Sequence, residues 1–392
     1  MGTSELEDWL RLSLIPGISH KDILFLLNFF GEPGHIFGKS GEEKLSAKKH
    51  SPPSADQQNA DNRKFSGREF EALLSTCRTH YRDRSVRERV RQALRWQEKD
   101  HQQIITLNCD AYPALLKEIP DPPPLLYIKG LPKVLCRPQI AMVGSRHASP
   151  GGKAIARQLA RELAGSGFSV CSGMALGIDA ESHLGALDKQ GSSVAILGCG
   201  VDQVYPGQHK KLAERLAETG AVLSEFPLGS APESWHFPQR NRVISGLSLG
   251  VVVVEAALRS GSLITARFAL EQGREVFAVP GSLHNPQAKG CHLLLKQGAT
   301  LVEHTDDIIA ELGGFISTDG LHQDKAVRST KHLNKDAKEL LRYIDYETTS
   351  VDKLICQTGL ETECIVGLLI ELELQGFITS RVGGYSLSPT GA

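Results

Sequence analysis

At 392 residues the chain is long enough for two or three domains, and 41% hydrophobic with 23% charged residues is the balance of a soluble globular protein. A formal net charge of −1 excludes a global basic field, so any anionic partner must be held by locally placed cations. No apolar run approaches the ~20 residues a bilayer demands, the opening MGTSELEDWL is too acidic for a secretory leader, and the eight cysteines lack Cys-x-x-Cys spacing, so we expect reduced thiols, a cytoplasmic location, no membrane partner and no metal.

The first predicted elements, over residues 5–40, are helices joined by a glycine turn, IPGIS (Ile15 to Ser19), between EDWLRLSL and KDILFLLNFF. The pair reads either as a helix-hairpin-helix or SAM-like module or as an ordinary helical turn. Residues 41–68 are rich in Lys, Ser, Pro, Asn and Gln and poor in aromatics, a flexible insert, so the N-terminal helical domain is expected to span 1–78. GHIFGKS (Gly34 to Ser40) is one residue short of a phosphate-binding P-loop and follows a helix.

A second domain is expected over 79–312. It opens with a charged amphipathic helix, THYRDRSVRERVRQALRWQEKD, and two short strands, QIITL and PLLYIKG. Apolar runs IAMVG, SVCSG, VAILG, AVLSEF, GVVVVEA and VFAVPG then alternate with helix-length stretches. Buried strands alternating with helices predict right-handed crossovers and a doubly wound α/β domain, an extended Rossmann-like parallel sheet covered on both faces. Ligands of such sheets sit beyond the carboxyl ends of the strands. A linker (313–334) leads to residues 335–392, which read as a winged helix: two helices across a short turn, then the glycine-tipped hairpin ITSRVGGYSLS. Its second helix offers Glu361, Glu363, Glu371 and Glu373 and no Lys or Arg, and the segment holds 5 Lys/Arg against 9 Asp/Glu. Such a helix would be repelled by phosphates, which favours a protein-contact or structural role.

VGSRHASPGG is the first strand-to-helix turn of the alternating region. It lacks Gly-x-Gly-x-x-Gly, and the next strand ends in Cys171-Ser172-Gly173 without an acidic residue, which argues against a dinucleotide. What remains is an anion seat of backbone amides at Gly144 and Ser145 with the guanidinium of Arg146, supported by Lys153 and Arg157 in the first turns of the helix. Gly173, Gly177, Gly198 and Gly200 end further strands. Ser260, Gly261, Ser262 and Thr265 form a candidate second nest, and Arg240 and Arg242 flank Asn241 just before another strand. All fall on one edge of the predicted sheet, an extended phosphate-binding floor. Tyr205, Trp235, His236 and Phe237, beside Lys210 and Lys211, are candidate base-stacking partners. His183 reads as part of a helix face and Asp179 as a helix cap. Glu255, leaving an all-valine strand at the ligand edge, is the one carboxylate placed to cleave an N-glycosidic bond.

Over residues ~100–311 the ordered motifs MVGSRHAS, SGMALGIDAESH, AILGCGVDQVYP, SEFPLG, FPQRNRVISGLS, EAALRSGSLITA, VFAVPG and GCHLLLKQGA resemble the DNA-processing protein A (DprA/Smf) family. The resemblance implies a non-catalytic, cofactor-free homodimer that binds single-stranded DNA and loads RecA onto incoming strands in natural transformation, displacing the single-strand binding protein. It assigns strand binding to Arg146 and to Lys210 or Lys211, puts the RNR and SGS segments in the same pocket, and makes GCHLLLKQGA, with Cys291, His292 and Leu295, the dimer helix. Met174 and Leu176 depart from the family's SGLARGID, removing one arginine, and the 41–68 insert is unusual. The sheet also resembles that of cytokinin-riboside-monophosphate phosphoribohydrolases, which use a Gly-Gly-x-Gly-Thr loop with a glutamate; EAALRSGSLITA lacks that placement. A nucleotide-sensing scaffold remains a third alternative.

Overall fold

The computed structural model describes residues 3–37, 67–312, 335–344, 349–374, 377–381 and 383–387. The expected linker 313–334 and all but the last two residues of the 41–68 insert lie outside them. The chain divides into two compact units, 1–320 and 321–392.

In the first unit, α1 (Thr3–Leu14), α2 (His20–Phe30), α3 (Pro33–Phe37), α4 (Gly67–Tyr81) and α5 (Arg84–Gln97) pack together. Gly17, at φ +80°, turns the chain between α1 and α2. The amides at the start of α2 are used internally: Ser19 and Asp22 form a capping box, each side chain accepting from the other's backbone N–H. Helix α5 is capped by Asp83 and buries Val86, Val90, Ala93 and Trp96, a single apolar stripe at helical spacing. A boundary between residues 78 and 79 would fall inside α4. Moreover, the N-terminal helices share one core with Tyr127, Ala195 and Val222 of the sheet.

The sheet runs β1-β2-β6-β5-β4-β3-β7-β8-β9, with β1 (Gln102–Thr106), β2 (Leu125–Gly130), β3 (Gln139–Val143), β4 (Ser169–Ser172), β5 (Ser193–Ile196), β6 (Ala221–Ser224), β7 (Gly250–Val253), β8 (Glu275–Ala278) and β9 (Thr300–Leu301). The seven strands from β6 to β9 in that order are parallel. The parallel sheet expected of the alternating region is observed, and the two short strands that precede it, β1 and β2, extend one edge antiparallel to their neighbours. The connection between β1 and β2 holds only the one-turn α6 (Ala114–Lys117) and no helix long enough to cover a sheet face as a crossover does, and the two strands pair antiparallel.

Alternate residues of each strand point to opposite faces. Ile140, Met142, Val170, Val252 and Phe277 meet α7 (Pro150–Gly165), α8 (Ile178–Asp188) and α13 (Thr305–Leu312). Ala141, Val143, Cys171, Val194 and Val251 meet α10 (His236–Gly246), α11 (Ser262–Glu271) and α12 (Lys289–Lys296). Helix α9 (Lys210–Thr219) packs Leu212 and Leu216 beside the N-terminal helices. The segment HFPQRNRVISG, expected only to precede a strand, is itself helix α10.

The second unit contains α14 (Lys335–Leu341), α15 (Val351–Thr358), α16 (Thr362–Leu374) and the antiparallel hairpin β10 (Ile378–Arg381) and β11 (Gly384–Leu387). Leu354, Ile365, Leu368, Leu369, Leu372 and Ile378 form its core. This is the winged-helix arrangement expected from the sequence.

Candidate nucleic-acid interface

Strand order places the switch point between β3 and β7: from β3 the chain proceeds outward to β4, β5 and β6, and from β7 in the opposite direction to β8 and β9. The crevice at such a point is lined by the loops leaving the two central strands, here 144–149 and 254–261. The first loop is fixed from three sides. Ser145 N–H donates to the Glu255 carbonyl (2.7 Å), and Ile178 N–H donates to the Ser145 carbonyl (3.2 Å). Gly177, at φ +77°, sits so close that a Cβ there would lie 2.2 Å from the Ser145 carbonyl oxygen. Gly144 and Ser145 are therefore packed framework, and the residue they present outward is Arg146.

Arg146 is exposed and has no ion-pair partner among the described residues; its guanidinium lies 5.4 Å from the centre of the Phe237 ring. Phe237 packs on Gly198, at the end of β5, and the Tyr205 ring lies 5.8 Å away. Lys210 and Lys211 are exposed in the first turn of α9, which carries no acidic residue there and no side-chain cap, and Lys153 stands likewise in the first turn of α7. These three lysines also lack ion pairs among the described residues. Cations at a helix N-terminus oppose its dipole, so the two lysines of α9 favour an incoming anion there, while Lys153 adds an exposed charge beside a helix start that is capped from within. His209, just before α9, donates from Nδ1 to the Met174 carbonyl (2.9 Å), joining the lysine-bearing turn to the loop after β4. Met174 is buried, while Leu176 stands exposed on that loop.

Several expected ligand-facing groups are committed elsewhere. Arg240 is only 4% exposed and donates to the carbonyls of Gly173 and Ile196, tying together the ends of β4 and β5. Burial pulls its pKa down, with nearby Asp179 opposing that and Arg146 adding to it. Asp179 does cap, but through the preceding loop: its carboxylate accepts from Gly173 N–H (3.1 Å) and Ala175 N–H (3.3 Å), so the Gly173 amide is taken. Burial raises the Asp179 pKa, and Arg240 and these amides counter it. Arg242 faces away from the crevice, paired with Glu225 and Asp121 beside His20. Arg157 pairs with Asp188 (2.7 Å).

Glu255 corrects two expectations at once. Its buried carboxylate accepts from Ser149 N–H (2.8 Å) and Ser149 Oγ (2.6 Å) at the start of α7. A Cβ on Gly152 would lie 2.4 Å from that carboxyl carbon. The anion seat expected at this helix is thus filled by the protein's own carboxylate, and the residue proposed for glycoside cleavage is a structural cap. At the second nest, Thr265 and Ser262 are buried, Ser260 and Ser262 hydroxyls bond each other (2.7 Å), and Asn241 donates to the Gly261 carbonyl (3.4 Å). Gly261 is exposed with open space where a side chain would be.

Among the aromatics, Trp235 is exposed and His236 is buried, donating to the Gly198 carbonyl. In the expected dimer helix, Cys291 faces inward with Sγ toward the Val253 carbonyl (3.5 Å), Leu295 is half-buried, and His292 donates to the Gly281 carbonyl (3.0 Å). The exposed leucine of α12 is Leu293, at 38%. Among the described residues, no helix is long and apolar enough to cross a membrane.

Family models match twice: DNA recombination-mediator protein A over residues 103–313, and the DprA winged helix domain over 324–384. The chain is 42% identical over 307 residues to Protein Smf of Escherichia coli K12, covering 76% of this chain and 81% of that protein. It is 44% identical over 209 residues to DNA processing protein DprA of Bacillus subtilis 168, covering 53% and 70%. Among solved structures it is similar to DNA processing protein A of Streptococcus pneumoniae, at TM-score 0.60 and 32% identity over 79% of this chain and 98% of that one. It is also similar to DNA processing protein A of Helicobacter pylori, described for its single-stranded DNA binding mode, at TM-score 0.50 and 32% identity over 55% and 99%. Taken with the switch-point crevice and its order of motifs, these matches settle the family: the chain belongs to the DNA recombination-mediator protein A (DprA/Smf) family.

Proposed function

We propose that this protein binds single-stranded DNA along the carboxyl edge of its sheet, without catalysis. The observation that carries the reading is Arg146: a guanidinium at the switch point, exposed, without a carboxylate partner among the described residues and lying over an aromatic ring. A phosphate bridged by Arg146 supplies the missing counter-charge, while Phe237 and Tyr205 offer faces to the adjoining bases. Lys153, Lys210 and Lys211 continue the positive track, and exposed Gly261 lies on the far side of the crevice. Base faces are available only where bases are unpaired, so this combination selects single strands and is indifferent to sequence. Binding by the related H. pylori protein supports the same reading.

Arg240, Gly173 and Ser262 act one layer below, holding the loops that present these groups. Non-catalysis is consistent with Glu255 being bound to Ser149 through both oxygens. As in the family to which the chain belongs, we further propose a homodimer through α12, in which two tracks act on one strand with avidity, and a role in transformation in which RecA is loaded as the single-strand binding protein is displaced. The test is a salt titration of binding to single-stranded and duplex DNA. Tighter binding of the single strand, weakening steeply with salt, is expected; equal affinity for both forms would overturn the reading. Release of free base from nucleoside monophosphates, abolished in Glu255→Gln, would instead favour a hydrolase.

A further inference from the structure

Helix α16 occupies the place of a DNA-reading helix, yet its outer face is apolar and acidic. Val366, Ile370 and Leu374 are 41%, 50% and 84% exposed. They recur every fourth residue on a helix whose other side, Ile365, Leu368, Leu369 and Leu372, forms the core of the unit. The apolar stripe spans about 12 Å of helix axis, a length that a partner helix can cover.

Two further observations point to an occupant. Gly367 lies in the middle of α16, on this face, with no atom within 4 Å of where a Cβ would be. Neither a positive φ nor packing within the unit calls for glycine there, and glycine weakens a helix interior. What it provides is a notch between Val366 and Ile370 where another backbone can approach closely. The second observation is charge. Glu371 and Glu373 lie in the last turn of α16, which has no basic residue; Glu373 also accepts from Ser380 N–H (3.1 Å), and the pair gives this end of the helix an acidic surface. Glu361 and Glu363 border the opposite end.

We propose that the outer face of α16 is a docking site for a partner protein presenting a basic amphipathic helix, its apolar residues covering Val366, Ile370 and Leu374 and its Lys or Arg meeting the glutamates. Nucleic acid does not fit, because phosphates would meet carboxylates. A second copy of the same face does not fit either, because a two-fold contact would set glutamates against glutamates.

The full chain is titrated, by fluorescence anisotropy, into a labelled synthetic amphipathic helix of leucine and lysine, and separately into its leucine and glutamate counterpart. Wild type binds the lysine peptide in preference to the glutamate peptide. Gly367→Leu, which fills the notch with a good helix former, and Ile370→Ser each weaken binding about tenfold; Gly367→Leu unfolds at the same or a higher temperature than wild type, and molecular mass and single-stranded DNA affinity are unchanged in both. Failure of wild type to bind the lysine peptide, or equal binding by wild type and both variants, overturns the proposal. So does a change in DNA affinity, which would place nucleic acid on this face, or in mass, which would place a second copy there.

Discussion

Replacing Arg146 by alanine removes a cation that the folded protein does not use internally. The guanidinium is exposed, pairs with no carboxylate among the described residues, and its effects on buried charge oppose one another, disfavouring that of Arg240 and favouring that of Asp179. Stability should therefore change by no more than about 0.5 kcal/mol, the usual range for an exposed site. Binding should change far more. A charge-assisted hydrogen bond to phosphate contributes about 1.5–3 kcal/mol, so affinity for single-stranded DNA should fall roughly 10- to 150-fold. One phosphate contact fewer should also flatten the slope of log K against log salt by about 0.7. Arg146→Lys separates charge from shape: it keeps the slope but loses the fork and the flat face over Phe237, and its affinity should fall between the other two. Fluorescence anisotropy with an oligothymidine at several salt concentrations measures both quantities. An unchanged affinity and slope in Arg146→Ala, with the fold intact, would refute the assignment.

Other substitutions probe the layer beneath. Arg242→Ala leaves the buried Glu225 carboxylate with only His20 and Gln239 and should lose up to about 3–5 kcal/mol in urea unfolding, while DNA affinity per folded molecule is unchanged, because Arg242 faces the N-terminal helices. His183 is fully buried, with Nδ1 bonded to Ser193 Oγ, and burial depresses its pKa to about 3. The unfolded chain takes up this proton near pH 6.5, so stability should fall as pH drops from 6.5 toward 3 and the contribution should level off below that. His183→Gln should flatten this limb of the melting temperature against pH; an identical limb in the variant would exclude His183 as its source. Leu293→Glu should shift the light-scattering mass toward the monomer and weaken binding to long strands more than to short ones, whereas an unchanged mass would remove α12 from the dimer contact.

The strands were legible because parallel strands buried on both faces leave unbroken apolar runs, such as Gly250 to Val254. Arg146 was legible for a similar reason: a cation in a strand-to-helix glycine turn has few structural uses. Helix α10 was hidden because its inner face carries His236, Arg240 and Arg242, which a sequence pattern assigns to the surface. Their burial is acceptable only because carbonyls at Gly173, Ile196 and Gly198 and carboxylates at Glu225 and Asp121 await them, and those partners come from other loops. Glu255 failed as a reactive candidate in the same way. Its partner Ser149 is 106 residues away, and only the adjacency of β3 and β7 brings them together. In α12 the sequence showed surplus leucines but not the helix phase, which turns Cys291 inward and Leu293 outward.

Ultraviolet cross-linking of oligothymidine to the full-length protein, with the modified peptides identified by mass spectrometry, tests most directly whether the strand lies on the carboxyl edge of the sheet. The account predicts adducts on Phe237 and Tyr205, lost together in Arg146→Ala. Adducts confined to the N-terminal helices or to the winged-helix unit, and indifferent to Arg146, would contradict it.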